Sequence, residues 1–293
     1  MQPPGLPGAG SVVVPPWLLA KTPQCLYHAR SSRSRSQSAM QEFLLLDLPA
    51  GTILVLVVVA FVAGCARGFS GFGGALIFVP VASSLVGAKL AVPLLLIVDL
   101  VLTPGLIPNA WRNADRANVG VMALGAAVGV PTGTYLLTQL DGVVIRWAIV
   151  AIVVALLALL MSGWRYHGRP HATMTAAVGM TSGLFSGAAQ VGGPPVVAYW
   201  LGGAFLPQTV RANIVLYFAI SSVLSIVSYL IAGLLTLETV GLSLTIGPTF
   251  ALGLYIGSRL FSRANEATFR RICYGLIATA AIVGLPALDG VLR

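Results

Sequence analysis

The sequence predicts an all-α integral membrane protein, a polytopic helical bundle of two homologous, inverted repeats with helices broken at glycine-rich motifs. Three observations predict it. First, the chain is 57% hydrophobic and only 9% charged, with mean hydropathy +0.91, whereas soluble domains carry about 25% charged residues. Second, runs such as "TILVLVVVAFVAGCA" and "WAIVAIVVALLALLMSGW" lack the alternation of barrel strands. They suit the roughly 20 residues a helix needs to cross a bilayer. Lipid offers the backbone no partners, so only helices or closed barrels can span it. Third, the glycine-rich stretch "GFSGFGG" has a counterpart, "FSGAAQVGGPP", in the second half.

In chain order, residues 1–41 come first. They contain no acid and alternate serine with arginine in "RSSRSRSQS". Their one apolar run is interrupted by Pro15 and Pro16, which makes a poor signal-peptide core. The expectation is a disordered tail or a misassigned start, with Met40 opening the first span. Ten apolar segments follow, near 48–67, 70–86, 88–108, 117–138, 143–163, 171–188, 193–205, 209–233, 239–260 and 268–288. The second and seventh are short and flanked by Gly or Pro. They are expected to be half-helices or re-entrant pieces.

A repeat is sought before finer features. Ser70-Gly71 answers Ser186-Gly187, and Gly73-Gly74 answers Gly192-Gly193. Gly129 and Gly133 then answer Gly253 and Gly257, Asp141 answers Asn265, and Arg146 answers Arg270. The matches are collinear, which divides the chain into repeats at 42–166 and 167–293. Five crossings per repeat would invert the second copy. With the mature N-terminus outside, inner loops hold most arginines, Arg67 among them, while Lys89, Arg146 and Arg293 fall outside. That agrees with the positive-inside rule.

The net charge of +9 therefore points to cytoplasmic loops or to anions, not to nucleic acid. Cys25, Cys65 and Cys273 are scattered and odd in number, and His28, His167 and His171 form no cluster with them. No disulfide framework, metal site or cofactor is implied.

Gly129/Gly133 and Gly253/Gly257 have the small-xxx-small spacing that lets helices approach closely. They would serve a homodimer as readily as an intramolecular contact. The two glycine clusters differ, because they add serine, and the second adds Gln190 and Pro194-Pro195. Proline stops a helix from running backwards through it. Irregular backbone at membrane depth is tolerated only where protein or a water-filled cavity covers it. Paired breaks in two repeats are the best sequence pointer to a transporter's central site. A helix starting after a break aims free N–H groups at the cavity, which suits an anion.

These residues carry a resemblance. "ARGFSGFGGALIFVP" in the first half and "GLFSGAAQVGGPPVVAYWL…VRANIVLYF" in the second resemble the TauE/SafE family of membrane permeases, also called sulfite exporters. The resemblance covers about residues 45 to 290. It implies transport of sulfite, organosulfonates or other small anions across the bacterial inner membrane, often outward, by a multi-pass protein.

The expected substrate-binding residues are Ser70, Gly71, Phe72, Gly73 and Gly74 in the first motif. In the second they are Ser186, Gly187, Gln190, Gly192, Gly193 and Pro194. Arg211 is the expected cation, because a guanidinium grips an oxyanion with two donors, and Asn213 follows it. A cytoplasmic anchor is the competing reading of Arg211. Asp99 is the only acid deep in an apolar segment, which makes it a coupling candidate or a paired structural acid. Asn109 would line a vestibule, and "WRNADR" reads as a cytoplasmic loop. No catalytic residue is expected, since no histidine lies beside the glycine motifs to activate a nucleophile. The reading is a secondary transporter exporting a small anion by alternating access. A non-transporting membrane subunit or assembly factor is the alternative.

Overall fold

The computed structural model describes residues 48–70, 73–102, 107–166, 168, 171–203, 205–261 and 266–292. The predicted tail lies outside the described residues. Within them, every regular element is a helix. The first half comprises α1 (Ala50–Ser70), α2 (Gly74–Val86), α3 (Ala88–Leu102), α4 (Ile107–Asn113), α5 (Arg116–Gln139) and α6 (Gly142–Ser162). The second comprises α7 (Ala172–Ala189), α8 (Gly193–Gly202), α9 (Pro207–Ile231), α10 (Leu237–Phe261) and α11 (Glu266–Gly284), then a short C-terminal turn, α12 (Asp289–Leu292). Five helices, α1, α5, α6, α9 and α10, are long and apolar enough to cross a membrane.

The ends of these helices follow from local chemistry. Asp115 caps α5, its carboxylate accepting from Asn118 N at 3.1 Å. Gly163 closes α6 at φ 64°, a left-handed conformation that glycine adopts without a Cβ penalty. Ten of the eleven longer helices fall on the ten predicted segments. The exception is α4, which runs through Trp111–Asn113 where a loop was expected. An extra turn forms there because Asn113 Nδ2 donates to Asn109 O at 2.9 Å and α4 packs along α9.

α2 and α8, the second and seventh predicted segments, are too short to span. At about 1.5 Å per residue, α2 with 13 residues reaches roughly 20 Å and α8 with 10 residues about 15 Å. The hydrocarbon core measures about 30 Å. α2 is buried continuously from Gly74 to Ser84, as expected of a helix that is apolar on every side. It lies within a cluster built from α1, α3, α6, α10 and α11. α8 contributes Val196, Tyr199 and Trp200 to a second cluster with α5 and α9.

Glycine sets the two closest helix pairs. Gly64 and Gly68 of α1 rest on the backbone of α10 at Phe250 and Leu254. Gly253 and Gly257 of α10 rest in return on Phe61 and Cys65. Gly125, Gly129 and Gly133 of α5 meet Ala176, Met180 and Leu184 of α7, whose Gly179, Gly183 and Gly187 meet Met122, Ala126 and Val130. A Cβ at any of these positions would run into a carbonyl or the adjoining backbone of the neighbour. The register rises together on both partners, so α1 runs parallel to α10, and α5 to α7. The paired GxxxG sites are thus used within the chain.

Two arginines are not where the loop reading put them. Arg67 lies in the last turn of α1 and Arg146 in the first two turns of α6. Each is drawn inward by a carboxylate, Asp99 and Asp289 respectively.

Candidate functional site

The second glycine-rich motif folds into one tightly supported turn. α7 ends at Ala189, and Gln190 takes φ 57°, a left-handed conformation rare for a residue with a side chain. Gln190 N bonds Ser186 O at 2.9 Å and Val191 N bonds Phe185 O at 3.3 Å, which closes the helix end. Ser182 Oγ donates to Gly192 O at 2.6 Å. From α9, the fully buried Tyr229 places its hydroxyl 2.8 Å from Gly187 O and 3.2 Å from Ser186 O. Gln190 Nε2 donates back to that hydroxyl at 3.2 Å. Gly192 must be glycine, since a Cβ would meet Ser186 Oγ and the Ser182 carbonyl. Gly193 and Pro194 then open α8.

A charge pair stands just before the first motif. α1 stops at Ser70, and α2 starts at Gly74 after the N-cap Gly73. Gly71, Phe72 and the Ser70 side chain lie outside the described residues. Gly74 is packed so closely that a Cβ would sit 2.8 Å from Ala63 O and 3.0 Å from Arg67 Cβ. Arg67 Nη1 reaches Asp99 Oδ2 of α3 at 2.8 Å, with the two side chains 23% and 12% exposed. Removing one partner of a buried pair strands the other, at a cost of about 3–5 kcal/mol. Sequence reasoning found Asp99 and missed Arg67. The signal was present, because a lone acid within a span calls for a cation, and "CARGFSGFGG" places one just before the glycines.

Arg211 and Asn109 meet elsewhere, at a cavity of about 450 Å³ between α4 and α9. Asn109, Asn113, Gln208 and Arg211 form its polar wall, with Ala110, Ala212 and Val215 as the apolar part. The amides are linked to each other. Asn113 Nδ2 donates to Asn109 Oδ1 at 2.9 Å, and Gln208 Nε2 donates to Asn113 Oδ1 at 3.2 Å.

Asn213 faces away from solvent altogether and is fully buried. Its Oδ1 accepts from Asp115 N at 2.8 Å, Asp115 caps α5 through Asn118, and Asn118 Oδ1 accepts from Trp200 Nε1 at 2.8 Å. Asn213 therefore fastens α9 to the start of α5 and on to α8. The predicted residues thus fall into four places: the α7–α8 turn, the α1–α2 segment with Asp99, the α4–α9 cavity for Arg211, and the buried contact of Asn213 with the start of α5.

Five helices long and apolar enough to cross a membrane, with charges paired among the helices, define a multi-pass helical membrane protein. The chain belongs to the sulfite exporter TauE/SafE family, whose family model matches residues 56–284. That family is one of membrane transporters, not enzymes. Searches of curated proteins and of solved structures gave no match.

Proposed function

We propose that the protein is a secondary transporter of the bacterial inner membrane that exports a small oxyanion, sulfite or an organosulfonate, by alternating access. The observation that carries this reading is the exchanged packing of its halves. The first helix of residues 42–166, α1, lies along the fourth main helix of residues 167–293, α10. The first helix of the second half, α7, lies in return along α5. α1 ends at Ser70 and α7 at Ala189, and a glycine-rich stretch of sequence and then a short helix follow each.

Such an arrangement suits two inverted repeats that rock against each other around a site near the two turns. Backbone amides at the turns, with Ser70, Ser186 and Gln190, would hydrogen-bond the anion. A membrane potential negative inside favours anion export, by about 2.3 kcal/mol per charge per 100 mV.

Counterflow of labelled sulfite in proteoliposomes tests the reading, with taurine and sulfate as competitors. Saturable counterflow is expected. Its absence for every anion in the panel would leave a non-transporting subunit or assembly factor as the better description.

A further inference from the structure

The two arginines paired within the helices differ in how their terminal donors are used. Both Nη atoms of the buried Arg146 are engaged, with the oxygens of Asp289 at 2.6 and 2.9 Å and, from Nη2, with Gly284 O at 3.3 Å. It anchors the C-terminal turn to α6, with its side chain only 10% exposed. Arg67 is half-buried: its Nη1 lies 2.8 Å from Asp99 Oδ2, and nearly a quarter of its side chain remains exposed. Among the described residues, no second contact engages its Nε or Nη2.

A planar guanidinium held at one end keeps a fork of donors for a second oxyanion. Asp99 offsets the burial of the charge and fixes the side chain on α1. Gly74, lacking a Cβ, lets the start of α2 sit against the Arg67 stem. The cation is therefore placed beside the start of α2. Arg211, by contrast, is exposed on α9, in the cavity wall.

We infer that Arg67 is an anion ligand, binding a sulfite or sulfonate group through the guanidinium edge that Asp99 leaves unused. This rests on the anion-transport reading, but binding can be measured without transport. The experiment follows the unfolding midpoint of the full-length protein in detergent against sodium sulfite and taurine, with sodium chloride at equal ionic strength as control.

Wild type is expected to be stabilised saturably by sulfite or taurine and not by chloride. Arg67→Lys keeps the charge and loses the fork, so its half-saturating concentration should rise at least tenfold. The double variant Arg67→Gln/Asp99→Asn removes both charges without stranding either. It should fold and show no anion-dependent shift, and it keeps the test open should Arg67→Lys prove unstable. A wild type indifferent to both anions overturns the inference, and so does an anion response unchanged in the folded variants. Binding that depends on Arg67 without counterflow would sink the transport reading and leave the Arg67 site standing.

Discussion

At the residue scale, the α7–α8 turn depends on one phenol. The Tyr229 hydroxyl serves two carbonyls and the Gln190 amide from a fully buried position. Tyr229→Phe keeps the ring and removes the hydroxyl from Gly187 O and the Gln190 amide, while Ser186 O keeps Gln190 N; a buried orphan costs about 1–3 kcal/mol. The expected result is a lower unfolding midpoint together with reduced anion counterflow, measured on the same preparation. A variant matching wild type in both would show that the hydroxyl does not support the turn. Gly192→Ala should fail more severely, because the new Cβ meets the Ser182 carbonyl, which cannot swing away as a side-chain tip can. Overpacking of this kind costs about 1–3 kcal/mol. A thermal melt with Gly275→Ala as the comparison checks it, since nothing lies within 4 Å of a Cβ there. Ser186, Gln190 and Gly192 were legible because glycine, serine and proline cluster where an apolar helix should continue. Tyr229 was not legible, since it lies 39 residues from Gln190 in a segment whose pattern is that of any lipid-embedded helix.

At the element scale, periodicity and breakers located the helices closely because lipid removes the alternatives to helix. α4 was missed because "TPGLIPNAWRN" is dense in breakers and its helix lasts only seven residues. The identity of the closest helix pairs was also hidden. A GxxxG spacing announces close packing without naming the partner, and a homodimer stood equal to an internal contact until α7 was found along α5. That pairing makes a sharp prediction. Gly129 faces the Met180 carbonyl and Leu184 N, whereas Gly120 on the same helix has nothing within 4 Å. Gly129→Val should therefore separate α5 from α7 and destabilise the protein by about 1–3 kcal/mol or more. Gly120→Ala should be neutral. Unfolding of the two variants side by side, in one detergent, decides it. Equal midpoints would mean that the α5–α7 contact is not tight in the protein.

At the scale of the whole molecule, the open question is whether the halves are inverted. The positive-inside pattern suggests it, although Arg67 and Arg146, counted as loop charges, are paired inside the helices and contribute nothing to orientation. The parallel runs of α1 with α10 and of α5 with α7 fit ten alternating helices, with α1 first and α10 ninth, and α5 fourth and α7 sixth. They fit eight crossings equally, with α2 and α8 re-entrant, so the number of crossings must be measured. Five crossings per half would set equivalent linkers on opposite faces, and four would set them on the same face. Asp141 stands just before α6, and Glu266, the neighbour of its sequence counterpart Asn265, starts α11. In a background lacking Cys25, Cys65 and Cys273, Asp141→Cys should react with an impermeant maleimide in intact cells. Glu266→Cys should react only after permeabilisation. Both cysteines reacting from one side would mean that an even number of crossings separates them. The halves would then share one orientation, and a rocking mechanism built on their exchange would lose its symmetry.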